Sequence, residues 1–189
     1  MATKDDLIDL CIQMLAQDGM SAFSLRKLAD RVGIKAPSIY EHFENKEALF
    51  TAVRSYASTA LAQALGASNG QDDVRQKLIA TAMGYLQFAA TQPHLFTLLM
   101  SQTTSSRTHL DEAPDPDSPY VVLLIQVKSV LGPEKASAET VCFGLWSLVH
   151  GAAMLRQSHL QKYAASIPDL TTRNVEALLN GWSDRKSVV

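Results

Sequence analysis

Apolar residues return every three or four positions through almost the whole chain, and they hardly ever alternate. That is the spacing of a helix with one buried face, not of a strand. Leu7, Ile8, Cys11, Met14 and Leu15 form the stripe of a first helix, with Thr3 as its cap and Gly19 as its stop. Ser24 caps a second helix, "LRKLADRV", whose inner positions are Leu25, Leu28, Ala29 and Val32, and Gly33 ends it. A short third helix is predicted over 36–43. Asn45 caps a fourth, with Leu49, Phe50, Val53 and Tyr56 turned inward. After a linker at 66–73 the pattern predicts a fifth helix over 74–91, a break at Pro93 and a sixth helix "HLFTLLMSQ". Residues 103–119 lose the period and read as a loop. A seventh helix follows over 120–131, an eighth over 134–161, and a ninth over 170–182 behind Pro168 and Asp169. The one Asn-Gly pair, Asn69–Gly70, has no alternating runs beside it, so no hairpin is expected. The expected fold is all-α, with about nine helices and no internal repeat.

Composition changes this picture little. Apolar residues make up 47% of the 189, enough for a sizeable core. The net charge of −2 carries no global signal for nucleic acid, so any such site must be local. Cys11 and Cys142 stand far apart with no CxxC spacing, which fits a reducing cytoplasm and argues against a disulfide framework or a zinc site. Asp5, Asp6 and Asp9 interrupt the start of the chain, so no signal peptide is expected. No uninterrupted apolar run approaches the ~18 residues of a membrane span, and "VVLLI" at 121–125 reads as buried helix.

The first three helices hold the local chemistry. The second and third are joined at Gly33–Ile34, the arrangement in which the second member of a pair enters the major groove of DNA. A helix of about eight residues is ~12 Å long, and the groove is about as wide. Ala36, Pro37 and Ser38 are small enough to let the helix start approach bases and phosphates. Tyr40 and His42 can donate to phosphate oxygens, and Lys46 opens the fourth helix, where an anion is favoured. Between residues 24 and 46, five cations (Arg26, Lys27, Arg31, Lys35, Lys46) face three acids (Asp30, Glu41, Glu44). An excess of two is thin for phosphate binding by one subunit, and a dimer doubles it. Three helices with a glycine turn also occur in proteins that bind no DNA, so spacing alone leaves both readings open.

Read in order, "SLRKLADRVGIKAPSIYEHFENKEALF" (24–50) closely resembles the DNA-binding signature of TetR-family transcriptional regulators. The features that match are the apolar scaffold helix, Gly33–Ile34, the small residues with Pro37, then Tyr40-x-His42-Phe43 and Lys46-Glu47-x-Leu49. "WSLVHG" (146–151) is similar to the W-x-x-x-H-G signature of one group of TetR-like C-terminal domains. The resemblance implies a cytoplasmic homodimer on a palindromic operator, usually a repressor released by a small molecule. It implies a helix-turn-helix domain at 1–48 and an effector-binding and dimerising domain at 49–189. Carried onto this sequence, it places Ser24 and Arg26 at phosphate or the groove edge. Lys35, Ala36, Pro37 and Ser38 would face bases and backbone, and Tyr40, His42 and Lys46 would hold phosphates. Ile34, Ile39 and Phe43 would be core. Glu41 departs from that pattern in charge, and either accepts from a cytosine amino group or points away from DNA.

For the effector half, an apolar cavity with a few polar groups predicts Tyr85, Phe88, Phe96, Leu99, Met100, Phe143, Trp146, His150 and Met154 as its lining. Trp146, His150 and Met154 are four apart and share one helix face. Aromatic and methionine residues at this spacing equally suit a plain core. The dimer is expected through the last two helices, by positions such as Leu145, Leu148, Ala152, Val175 and Leu179, and the pattern leaves open which face of the eighth helix meets the partner.

No catalytic or cofactor motif stands against this. There is no phosphate-binding glycine loop, GxSxG or HExxH. Cys142 and His150 lie eight residues apart on one helix, about 12 Å, too far for a nucleophile and base. The acids Asp111, Glu112, Asp115 and Asp117 lack EF-hand spacing. No metal or cofactor is expected. The alternatives are an enzyme, or a helical ligand-binding or interaction module, with a vestigial DNA-binding unit.

Overall fold

The computed structural model describes residues 2–66, 73–101, 118–131 and 138–184. The linker and loop expected at 66–73 and 103–119, and the tail after 184, lie almost wholly outside the described residues. Among the described residues there are nine α-helices and no strand. They are α1 (Lys4–Ala22), α2 (Leu25–Val32), α3 (Ala36–Tyr40), α4 (Lys46–Gly66), α5 (Val74–Thr91), α6 (Pro93–Met100), α7 (Pro119–Leu131), α8 (Ala138–Arg156) and α9 (Ile167–Asp184), with a short 3-10 helix at His159–Tyr163.

The caps fall where the polar residues predict. The Thr3 hydroxyl accepts from Asp6 N at 3.2 Å while Asp6 Oδ2 accepts from Thr3 N at 2.8 Å, a reciprocal box. Ser24 Oγ accepts from Lys27 N at 3.2 Å, and Asn45 Oδ1 from Ala48 N at 2.8 Å. Several ends differ from the expected ones. Gly19 bends α1 instead of ending it: it leaves the helical region (φ 73°, ψ 172°) and one more turn follows, to Ala22. The third helix stops at Tyr40, not Phe43, because the N–H groups of His42 and Phe43 both turn back to the Ile39 carbonyl (3.0 and 2.9 Å). That tight turn seats Phe43 in the core. Helix α8 ends at Arg156 instead of 161, where the N–H groups of Gln157 and Ser158 reach carbonyls three residues back. Helix α9 starts earlier than predicted, at Ile167, since Pro168 is tolerated in a first turn. On α4, Ala57 takes the inner position assigned to Tyr56, which is 48% exposed.

The chain forms two compact units. The first comprises residues 2–58 and 92–101. Its core joins Leu7, Cys11 and Leu15 of α1, Leu28 and Ala29 of α2, Ile39, Phe43, and Leu49, Phe50 and Val53 of α4. Helix α6 packs on α1 and adds Leu95, Phe96 and Leu98 to it. Truncating a fully buried leucine such as Leu28 to alanine is expected to cost about 2–5 kcal/mol.

The second unit comprises residues 59–66, 73–91, 118–131 and 138–184. Helix α5 is its centre, packed on α7, α8 and α9. At Gly84 it crosses α4 so closely that a Cβ would lie 2.5 Å from the Ala64 carbonyl oxygen. The Leu65 carbonyl, at the end of α4 where no intrahelical donor remains, accepts from Gln126 Nε2 at 3.2 Å. The buried Thr81 hydroxyl lies 3.3 Å from that carbonyl and is hydrogen-bonded to Gln126 Oε1. Helix α8 is long and apolar enough to cross a membrane by length and composition, but Val141, Cys142, Leu145, Val149 and Ala153 face this core.

Candidate nucleic-acid interface

The turn between α2 and α3 is set by one residue. Gly33 is left-handed (φ 76°, ψ 29°), a conformation that a Cβ penalises. There its N–H and that of Ile34 both close onto the Ala29 carbonyl (3.0 and 3.1 Å). The chain then enters α3 at once. Ile39 is fully buried and Phe43 is 3% exposed, so they anchor the pair to its core. Ile34, expected as core, is only half-buried.

What α3 presents outward is the polar set. Lys35, Pro37, Tyr40 and Glu41 are exposed, and Ala36, Ser38 and His42 are half-buried. Glu41 follows the helix as its C-cap. On α2, Arg26 is exposed, and Ser24 is spent partly on its cap. The five cations divide into two groups. Lys27 Nζ donates to the Ala22 carbonyl at 2.9 Å, Arg31 to Gln17 Oε1 at 3.0 Å, and Lys46 to the Phe23 carbonyl at 3.1 Å. The Lys46 ammonium also lies 5.4 and 5.0 Å from the ring centroids of Phe23 and Phe50. Sequence reasoning missed this second task of Lys46, for which the run of aromatics at 23 and 50 is too distant a signal. The side chains of Arg26 and Lys35 make no hydrogen bond or ion pair among the described residues. The surface therefore has two uncommitted cations, a tethered third at Lys46, and donors at Ser38, Tyr40 and His42.

The candidate effector residues divide as well. Tyr85, Trp146 and His150 come together: the Tyr85 hydroxyl lies 2.9 Å from His150 Nδ1, and its ring meets Trp146 edge-on at 5.2 Å. Burial pushes the Tyr85 hydroxyl well above its usual range, so it stays a neutral donor or acceptor. Phe88 is buried on the same helix. Phe96, Leu99 and Met100 belong to α6 in the first unit, while Phe143 and Met154 are 70% and 49% exposed. The space enclosed by Leu65, Leu78, Thr81, Tyr85, Leu123, Trp146 and Val149 is about 10 Å³, roughly one water molecule.

Helix α8 carries an outward face that the sequence reading did not single out. Leu145, Val175 and Leu179, expected at a partner, are instead intramolecular core at 3%, 0% and 4% exposure, and Leu148 and Ala152 are half-buried. Past the exposed Glu139 and Thr140 of its first turn, the exposed positions are Phe143, Ser147, Met154 and Leu155, with half-buried Gly151 among them. A Cβ at Gly151 would meet nothing within 4 Å, so packing inside the chain does not require a glycine there. A small pair four residues apart between two large apolar residues was the available signal.

Residues 7–53 match the family described as bacterial regulatory proteins, tetR family, and residues 78–178 match the tetracyclin repressor-like C-terminal domain. The chain belongs to the TetR family. This regulator is 21% identical over 182 residues to the HTH-type transcriptional regulator YobS of Bacillus subtilis, covering 95% of this chain and 92% of that protein. It is 34% identical over 88 residues to the class A tetracycline repressor of Escherichia coli, covering 43% of this chain and 37% of that protein. In fold it is similar to a Rhodococcus protein of unknown function (TM-score 0.81, 20% identity, 96% of each chain). It is likewise similar to a single-substitution variant of TetR from Acinetobacter baumannii, solved in complex with minocycline (TM-score 0.69, 19% identity, 100% of each chain). The TetR-family regulator is thus a non-enzymatic, DNA-binding transcription factor. The C-terminal match names the tetracyclin repressor-like domain, and does not extend to the narrower group whose signature Trp146, His150 and Gly151 resemble.

Proposed function

We propose that this TetR-family regulator is a cytoplasmic repressor that binds a palindromic operator as a homodimer and is released by a small, largely apolar ligand. Residues 1–48 would carry the DNA contacts and 49–189 the effector and the dimer. The observation that carries the reading is the start of α3: a small, polar, exposed surface, set by Gly33 and anchored by Ile39 and Phe43. Lys35, Ala36, Pro37 and Ser38 meet base edges and backbone; Ser24, Arg26, Tyr40 and His42 hold phosphates. Lys46 has three donors, one of them on the Phe23 carbonyl, and keeps the others for phosphate. Glu41, exposed past the end of α3, points away from DNA. The repressor role is supported by the tetracycline repressor relative, and the ligand by the minocycline complex of the A. baumannii protein.

The partner is a second copy, joined across the outward face of α8. Gly151 lets two such helices approach closely, and Phe143 and Met154 supply the apolar flanks. Selection from random duplexes with purified protein tests the DNA reading: an enriched palindrome is expected, and none after exhaustive rounds overturns it. On the selected site, Tyr40→Ala is expected to weaken all sequences alike and lower the salt slope by about 1, whereas Ser38→Ala shifts base preference. Sedimentation equilibrium tests the partner: Gly151→Leu is expected to yield monomer, and an unchanged dimer rejects this face.

A further inference from the structure

One ligand-sized space in the second unit does not include the aromatic pair Tyr85 and Trp146 in its lining. An open cleft of about 340 Å³ is lined by Met83, Gly84, Leu86 and Gln87 of α5, Arg156 of α8 and Pro168 of α9. That is within the range of small-molecule sites, roughly 300–1,000 Å³, whereas the space beside Tyr85 and Trp146 is not. Among the described residues Arg156 is its single ionic residue. It is the last residue of α8 and half-buried, and its side chain makes no ion pair or hydrogen bond among the described residues. Seven residues separate it from Val149 and eleven from Leu145, so at 100° per residue it shares their inward face. Phe143, Ser147 and Met154 stand on the opposite side of the same helix, so a dimer through that side leaves the cleft open.

The half-buried Arg156 side chain lines this cleft together with Met83, Leu86 and Pro168, and among the described residues no internal partner satisfies it. A guanidinium partly withdrawn from water gains from an anion that completes its hydrogen bonds. The guanidinium fork fits a carboxylate through two parallel hydrogen bonds, and does so best where water is thin. Apart from Gln87 the remaining wall is apolar. Met83 offers a flexible thioether that adapts to an irregular body. Gln87 is exposed at the rim, where its amide can reach a second oxygen.

We propose that this cleft is the effector site and that it takes an amphipathic monocarboxylate, its head paired with Arg156 and its apolar body against Met83, Leu86 and Pro168. The inference rests on the ligand-responsive reading above and gives its effector a chemical class. At about 30 Å³ for each water-sized unit, the space suits a body of roughly ten non-hydrogen atoms.

Isothermal titration calorimetry of the full chain with octanoate, 1-octanol and octylammonium separates the readings. Octanoate is expected to bind at least about tenfold more tightly than the other two, the difference made by one charge-assisted pair. Arg156→Gln is expected to remove that preference with the melting temperature unchanged, and Arg156→Lys to keep part of it. Met83→Trp, which fills the cleft and leaves the guanidinium in place, is expected to abolish octanoate binding. Equal affinity for the three probes, no octanoate binding, or full binding by both Arg156→Gln and Met83→Trp would overturn the proposal. Duplex binding measured on the same preparation keeps the two readings apart. A protein that selects a palindrome but ignores octanoate loses only this site. One that binds octanoate through Arg156 but selects no duplex keeps the site and loses the regulator reading.

Discussion

Replacing Gly33 isolates one physical quantity, because only the backbone is at stake. A Cβ at Gly33 would meet no atom within 4 Å, so alanine adds no clash there. What it adds is the strain of a left-handed residue at φ 76°, ψ 29°, about 1–2 kcal/mol for an L-residue with a Cβ. Alanine also lowers the entropy of the unfolded chain, which returns about 0.4–1 kcal/mol. The net expectation is a loss of about 1 kcal/mol. Asparagine tolerates the left-handed region and should lose less, while β-branched valine should lose about 2 kcal/mol or more. Urea unfolding followed by far-ultraviolet circular dichroism gives the four stabilities, expected in the order Gly, Asn, Ala, Val. The operator affinity of folded Gly33→Asn should stay close to that of the parent, because the turn is kept. If Gly33→Ala were as stable as the parent, or if asparagine were worse than valine, the account of this turn would fail.

Gly84→Ala should behave differently, since its Cβ would lie 2.5 Å from the Ala64 carbonyl oxygen and α4 and α5 must part; a loss of about 1–3 kcal/mol in the same assay is expected, and a neutral result would refute the close crossing. Thr81→Val keeps shape but takes the hydroxyl from Gln126 and from the Leu65 carbonyl, for an expected loss of about 1–3 kcal/mol, relieved in part by adding Gln126→Leu in a double-mutant cycle. Burial pushes the Cys11 thiol up to about 12 from 9.0, so the native protein should resist a thiol reagent at pH 8 and label only when unfolded. The folded thiol holds its proton more tightly than the unfolded one, so its share of stability is present below pH 9 and is lost as pH rises toward 12. The stability difference between the parent and Cys11→Val, measured across that interval, should fall accordingly, and a flat difference would contradict it.

Much of this molecule was legible because its signals are local. Thr3, Ser24 and Asn45 cap the helices behind them, since a hydroxyl or amide reaches an N–H three residues on whatever the rest of the chain does. Gly33 makes its turn for the same reason, and the order of residues from Ser24 to Phe50 suffices to name the family. The failures are those of distance. Whether Tyr56 or Ala57 turns inward depends on which surface α4 meets, and the local pattern accommodates both. Phe96 and Met100 look like cavity residues by composition, yet α6 joins the first unit because it packs on α1, some seventy residues earlier. Leu145, Val175 and Leu179 suit a partner subunit or a core equally well, and only the packing of α8 and α9 against α5 made them core. The same packing exposed Phe143 and Met154 and left Arg156 beside an apolar cleft. The sequence by itself settled the existence of the helices, their N-terminal caps and the turn at Gly33, because hydrogen bonds within one or two turns decide those. Which apolar face is core was decided only in the tertiary structure, because hydrophobic burial is non-directional and takes its meaning from what stands opposite.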